Sequence, residues 1–352
     1  MDRLMKKKIV LVGFKFRHHR EFSGYQQLVN HVDHDLYINR DSFDFSLQIF
    51  DFPLLNRINF FLMKIRDYFF LKAIRKAVQD RDCGLIHFLY PENSLAFLGF
   101  EIPKNITVIA TFHQPMSYFR KLVEAGESGK KILKNFNRCD KTIVLSKRME
   151  RNLGKVLQIP EIKFIPHGVD TVAFPDLGWT RKKKSVLIFG TWLRDFPRLV
   201  ATMLAIYQKD TDVSFTIISD PKNKTDFQSL PKTRFLHGLS HDQMINELNS
   251  HTVLLLMFKD LTASNSLLEA ASCGLPVICN EQEALHDYFE SGGIYTLPPI
   301  SYIGFEKLAE EIIALLGNKE KLKKMSLKLK NNVLALDWNQ IGRKTSMFYD
   351  NC

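Results

Sequence analysis

The sequence predicts an α/β protein built from two doubly wound parallel-sheet domains. Two observations predict it. Short apolar runs alternate with helical patterns along almost the whole chain, as in parallel strands joined by crossover helices. The runs also fall into two similar sets separated by DTVAFPDLGWTRKKK, Asp170 to Lys184, which is polar, turn-rich and without clear periodicity. Length agrees, since 352 residues exceed one ordinary core and suit two domains of about 150 to 180 residues.

In chain order, strands are expected at Lys8–Gly13, Phe45–Phe50, Leu85–Leu89, Thr107–Phe112, Thr142–Leu145 and Lys163–Ile165. The second set is Ser185–Phe189, Val213–Ile218, Arg234–Leu236, Thr252–Met257, Pro276–Cys279 and Ile294–Thr296. Asp170 to Lys184 reads as the linker between the sets. From Leu308 onward the pattern is of consecutive helices, the last carrying Trp338, Ile341, Phe348 and Tyr349. The domains are expected at 1–170 and 171–336, with 337–352 as a terminal helix. Two such domains facing each other would leave a cleft at the carboxyl ends of both sheets, so function is sought in the strand-to-helix loops.

Composition narrows the class. A hydrophobic content of 45% with 25% charged residues is that of a soluble globular protein. Cys83, Cys139, Cys273, Cys279 and Cys352 form neither a CxxC pair nor a disulfide framework, which fits packing roles in a reducing compartment. The amino-terminal MDRLMKKKIVLVGFKF has only a six-residue apolar run, too short for a signal sequence or a membrane span, so the cytoplasm is expected. The net charge of +11 asks for an anionic partner. Lys and Arg are spread along the chain without a nucleic-acid motif, which argues against RNA or DNA. Pro53 to Val78 is apolar nearly all round, yet Arg57, Lys64 and Arg75 fall within roughly 20° of one another at helical pitch. That stripe suits an anionic membrane surface at the cytoplasmic face, or else the solvated edge of a buried crossover helix.

The loops hold the candidate chemistry. LTASNSLLEAASCGLPVIC, Leu261 to Cys279, places Glu269 one turn inside a helix beginning near Ser264. The amides of Asn265, Ser266 and Leu267 would form an anion site at its tip, while Glu269 takes neighbouring hydroxyls. Alternatively, Ser266 and Glu269 form a capping box and bind nothing. Arg194 and Arg198 follow Gly190 in a strand-to-helix loop, where guanidinium groups meet a diphosphate well, or form a solvated helical turn paired with Asp195. His113 follows a strand and projects from its end, as a functional or a structural histidine. Gly24 would let backbone approach a bound group closely. The Asp-x-Asp pairs Asp33/Asp35, Asp80/Asp82 and Asp210/Asp212 look like turns, and neither HExxH nor a phosphate-binding Gly-x-x-x-x-Gly-Lys loop occurs. Gly13-Phe14-Lys15 does not extend into a dinucleotide fingerprint. No metal and no cofactor is expected.

The ordered series Ser146, Leu153, IPHGVDTVAF, a strand followed by Gly190, FLHGLSHDQMINEL, LLEAASCGLPVIC and Asp337-Trp338 resembles the GT-B glycosyltransferases of family 4. The resemblance implies two facing Rossmann-like domains, an acceptor side and a donor side, and a last helix that crosses back to the first domain. It implies a retaining, metal-independent hexosyltransferase that moves a sugar from a nucleoside diphosphate to a glycan or lipid-linked acceptor, as in polysaccharide or lipopolysaccharide assembly. Glu269 matches the second Glu of the family's Glu-x7-Glu motif, which contacts the donor ribose. Leu261 stands where the first Glu belongs, and Thr262, Ala263, Ser264 and Asn265 replace the usual Gly-Phe-Gly. Thr191 follows Gly190 in place of the usual Arg, leaving Arg194 and Arg198 as the cations for the diphosphate. The resemblance therefore implies a donor set of Gly190, Arg194, Arg198, Thr262, Ser264, Asn265, Ser266, Leu267 and Glu269, with Gly24 and His113 on the acceptor side. Catalysis would rest on His113, Arg194 and Glu269. A nucleotide-sugar epimerase or hydrolase on the same fold, or a binding protein without turnover, are the other functions such a chain could serve.

Overall fold

The computed structural model describes residues 7–16, 21–44, 53–178, 181–290 and 292–350, with backbone only for 53–57 and 300. The chain divides into two compact units. The first comprises residues up to His19, Gly24–Pro166 and Ile341–Cys352; the second comprises Arg20–Ser23 and His167–Gln340.

The first unit is a six-stranded, wholly parallel sheet. Its strands are β1 (Lys8–Gly13), β2 (Leu36–Asn39), β3 (Cys83–Phe88), β4 (Thr107–Phe112), β5 (Lys141–Val144) and β6 (Glu161–Phe164), in the order β2-β1-β3-β4-β5-β6. β3 is buried along its whole length, as a strand covered on both faces must be. The helix Pro53–Val78 covers the sheet with Phe70, Ile74, Ala77 and Val78, which share one face at helical spacing. Its opposite face is wet. Ile58, Phe60, Phe61, Met63, Tyr68 and Phe69 are exposed, as are Lys64, Lys72 and Arg75. A buried crossover helix is therefore only half the description of this segment.

Ile341, Thr345, Phe348 and Tyr349 of the last helix, Trp338–Asp350, are buried. Tyr349 hydroxyl lies 2.6 Å from Nδ1 of His87, and Nε2 of His87 lies 2.8 Å from Thr111 Oγ1, whose hydroxyl donates to the Tyr25 hydroxyl at 3.3 Å. Burial drives the His87 pKa down to about 3, so the ring is neutral. Tyr349 then donates to Nδ1, and Nε2–H donates to Thr111.

The second unit repeats the plan with β7 (Ser185–Phe189), β8 (Ser214–Ile218), β9 (Thr233–Leu236), β10 (Val253–Leu256), β11 (Val277–Asn280) and β12 (Ile294–Leu297). Its order is β12-β11-β10-β7-β8-β9, again all parallel. Successive side chains go to opposite faces. Leu187, Leu254, Leu256 and Val277 join one core with the helix Asn265–Ser272, while Val186, Ile188, Val253, Leu255 and Ile278 join the other with helices Phe196–Lys209 and Ile300–Gly317.

Most expected strands are present with ends shifted by one or two residues. Leu36–Asn39 was not expected. It is a four-residue edge strand in which only Ile38 is fully buried, so its apolar signal is a single residue. The expected strand Phe45–Phe50 lies outside the described residues. The expected linker is a strap on the second unit: Phe174 is fully buried, and Arg181 donates to the carbonyls of Leu248, Asn249, His251 and Cys273. Buried carbonyls need donors, and a charged fork supplies several at once. Lys8 pairs with Asp80 and Asp82, and Lys184 with Asp210 and Asp212, so these carboxylates serve ion pairs at the amino-terminal edges of the sheets. Among the described residues no helix is long and apolar enough to cross a membrane.

Candidate functional site

In the second sheet the strand order reverses between β7 and β10, so the loops leaving their carboxyl ends diverge and open a crevice. Gly190 ends β7 with φ of 104°, a backbone conformation that only glycine adopts without strain, and a Cβ there would meet Arg194 Nη2 at 2.8 Å and Ser266 Oγ at 3.3 Å. Beyond it the loop is stitched across the crevice. The Lys259 amide donates to the Leu193 carbonyl (2.9 Å), and the Asp195 amide to that of Met257 (2.8 Å).

Arg194 sits at this crossing with 8% of its surface exposed. Its guanidinium lies over the Phe258 ring at 4.4 Å and donates to Ser266 Oγ (2.6 Å), Ser264 Oγ (3.2 Å) and the carbonyls of Trp192 and Phe189. Nε has no hydrogen-bond partner, and among the described residues no carboxylate pairs with this cation. Burial pulls its pKa down to about 10, so it stays charged at neutral pH.

The same serines begin the helix Asn265–Ser272. Ser264 is its N-cap and accepts the Leu267 amide, so Leu267 N–H is taken and not an open donor. The Ser266–Glu269 capping box does not form. Glu269 is 3% exposed, and its Oε1 accepts the Ser23 hydroxyl at 2.6 Å, so the carboxylate is already a hydroxyl acceptor. Thr262 is buried nearby in sequence, and Leu261, also buried, gives its amide to the Asp260 carboxylate.

Arg198 is placed otherwise. It stands on the helix Phe196–Lys209, 3.5 Å from Asp195, and half of its side chain is in water. With Asn280, Glu281, Leu297 and Pro298 it lines a pocket of about 130 Å³ beside the ends of β10, β11 and β12. Arg194, Ser264, Ser266 and Gly190 thus touch one another, whereas Arg198 faces different neighbours.

In the first unit the order reverses between β1 and β3. Gly24, with φ of 97°, turns the chain into the 3₁₀ helix Tyr25–His31. His113 lies just past β4, stacked on Tyr90 at 4.6 Å and against the edge of Tyr25 at 4.9 Å, with Nε2–H donating to the Leu89 carbonyl. That bond sets the ring orientation. Glu92, which belongs to no motif in the sequence, is buried behind it and accepts the amides of His113 (2.7 Å) and Gln114 (3.0 Å) through Oε1. Burial raises its carboxyl to about 7. An acid in the Tyr90-Pro91-Glu92 turn directly after a strand was the available signal.

The model of Glycosyltransferase Family 4 matches residues 26–173, and that of Glycosyl transferases group 1 matches residues 183–318. No curated protein matches the chain. The fold is similar to that of a sucrose-phosphate synthase from Thermosynechococcus elongatus, with TM-score 0.71 and 16% identity over 98% of this chain and 99% of that one. It is also similar to Anabaena HepE in complex with UDP-glucose (TM-score 0.70, 12% identity, 97% and 100%) and to a glycosyltransferase from Rickettsia africae (0.65, 14%, 98% and 98%).

Glu92 makes stability pH-dependent in a defined direction. Between the ordinary value of 4.5 and about 7 the native chain keeps a proton that the unfolded chain has lost, so stability falls as pH rises through that window. Glu92→Gln keeps an oxygen for both amides and has nothing to ionise. Urea denaturation at pH 4, 6 and 8 should show the variant gaining on the unmodified protein by on the order of 3 kcal/mol across the series. Parallel pH profiles for the two proteins would refute the buried-acid reading.

Proposed function

Because this chain belongs to the glycosyltransferases, with a family 4 first half and a group 1 second half, we propose that it moves a sugar from a nucleoside diphosphate to a glycan or lipid-linked acceptor, retaining anomeric configuration and needing no metal. The observation that carries the reading is the buried Arg194 guanidinium, which among the described residues has no carboxylate partner, beside the start of the Asn265–Ser272 helix. A buried cation is costly unless compensated, and the described residues supply it with hydroxyls, carbonyls and a ring face. A diphosphate supplies the missing charge. Anabaena HepE, whose fold is similar, is described in complex with UDP-glucose and with UDP and glucose, which supports a nucleotide-sugar donor.

The chemistry follows. As the bond from the anomeric carbon to the diphosphate oxygen breaks, positive charge grows on the sugar and negative charge on the departing phosphate. Arg194, the two serine hydroxyls it holds and the amino-terminal end of the helix are set to stabilise that negative charge without reorganising. Glu269 accepts ribose hydroxyls, as it now accepts that of Ser23. His113, fixed by Leu89 and Tyr90, serves the acceptor side with Gly24.

The exposed face of the helix Pro53–Val78 supports an acceptor carried on an anionic membrane. Phe61, Lys64, Tyr68, Lys72 and Arg75 follow one another along its outer side, so rings that enter the headgroup region alternate with cations that meet lipid phosphates. The side chain of Arg57 lies outside the described residues.

Arg194→Ala should lower turnover about 100- to 1,000-fold, the usual loss when an oriented donor to a leaving group is removed, while Arg198→Ala costs far less. Turnover of the preferred sugar nucleotide in excess chelator decides the metal question: abolition by chelator refutes metal independence, and full activity in Arg194→Ala removes that residue from the reaction. Glu269→Gln should weaken nucleotide binding by about 1.5 to 3 kcal/mol with the fold intact, because the amide offers one neutral acceptor where the carboxylate offers two charged ones. Calorimetry with the nucleotide reads this directly, and unchanged affinity would leave Glu269 as an anchor for Ser23 alone. Lys64→Gln with Arg75→Gln should reduce sedimentation with anionic vesicles, more at low salt than at high. If the unmodified protein ignores such vesicles, the aromatic stripe has another purpose.

A further inference from the structure

The loop Gly190 to Arg194 is packed inside out. Its cation is buried, with 8% exposure, while two residues earlier the indole of Trp192 stands 66% exposed. Water favours the reverse arrangement, because a charged guanidinium is costly to bury and an indole is not. Flexibility is not the cause, for the loop is held at several points. The Gly190 amide donates to the Ile218 carbonyl (3.1 Å), the Lys259 amide to Leu193, and Arg194 Nη1 to the Trp192 carbonyl itself (3.1 Å). Leu193, between the two, has φ of 53°, a left-handed conformation that costs a branched residue energy and that clusters at ligand sites. Backbone strain and apolar exposure are thus both held in one rigid turn, beside a cation with no carboxylate partner among the described residues.

We propose that Trp192 is the platform on which the sugar ring of the donor stacks, extending the site beyond the nucleotide. The inference rests on the donor reading of Arg194. A nucleoside diphosphate sugar has an anionic diphosphate directly joined to a pyranose, and a pyranose has a face of C–H groups bearing slight positive charge. Those groups suit the negative face of an indole, as ring edges and cations do. A buried cation and an exposed indole two residues apart match that pair of neighbouring chemistries, and the held backbone fixes their spacing before the ligand arrives. Stacking of the nucleobase or of an acceptor sugar on the same indole are the alternatives that the test separates.

The test compares each sugar nucleotide with its own nucleotide. UDP-glucose, UDP-N-acetylglucosamine and GDP-mannose are titrated by calorimetry against UDP and GDP, using the unmodified protein, Trp192→Ala and Trp192→Phe. For the donor that the unmodified protein prefers, the advantage of sugar nucleotide over nucleotide should shrink about 3- to 10-fold in Trp192→Ala, as expected for one aromatic contact, and persist in Trp192→Phe. UDP or GDP affinity should not change. Equal loss for nucleotide and sugar nucleotide would overturn the proposal in favour of a base or loop contact. A raised KM for the acceptor with unchanged donor binding would overturn it in favour of an acceptor platform. No change in either, or no sugar-dependent advantage in the unmodified protein, would also overturn it. Failure of every nucleotide to bind would instead refute the donor reading of Arg194 on which the inference stands.

Discussion

Around Arg194 the second unit arranges a glycine, two serines, a phenylalanine ring and the stitched ends of two strands. A guanidinium shut away from water without a carboxylate destabilises the fold unless its hydrogen bonds are met, and the neighbouring residues meet most of them. Gly190 is there because a side chain would strike the guanidinium, and Ser266 because its hydroxyl accepts the shortest of the bonds. The reversal of strand order between β7 and β10 makes room for all of this. A sheet whose order ran without reversal would bring a helix over the same place and fill it.

The first unit solves a different problem with similar topology. Beside its reversal point Tyr25, Tyr90 and His113 pack together, with the Glu92 carboxyl buried behind the backbone. Two sheets with related plans therefore hold different chemistries at their switch points, a buried cation in one and a cluster of rings in the other.

Strands buried on both faces were legible in the sequence because they read as unbroken apolar runs, and Lys8–Gly13, Thr107–Phe112 and Ser185–Phe189 were placed residue for residue. Leu36–Asn39 was not legible, since an edge strand with one buried side chain leaves no pattern. The strap from Asp170 was misread as a linker because polar residues and turns describe both; Arg181 holds carbonyls that no periodicity reveals. At the site, local spacing pointed to a helix start near Ser264 and to Arg194. It favoured Arg194 over Arg198 from its place nearer the strand end, but the burial that separates the two depends on the return of β10 from far along the chain. The partner of Glu269 was still less accessible, for Ser23 lies 246 residues earlier in the chain. Glu92 was missed for the same reason, its role being defined by amides on another strand's loop.

The first unit closes with residues from the far end of the chain. Its buried His87 is satisfied on one side by Tyr349, and Ile341 and Phe348 of the same helix are buried in this unit. During synthesis the sheet β1 to β6 is therefore complete in sequence while its last wall is missing, and it waits for the whole second unit to be made. At ordinary ribosomal speed that wait is roughly 10 to 40 seconds. Throughout it an apolar face lies open and a buried imidazole lacks one of its two hydrogen-bond partners. The order in which ribosomes deliver a chain thus sets a hazard for this protein that its finished structure conceals, and makes the nascent first unit a natural client for chaperones that shield apolar surface.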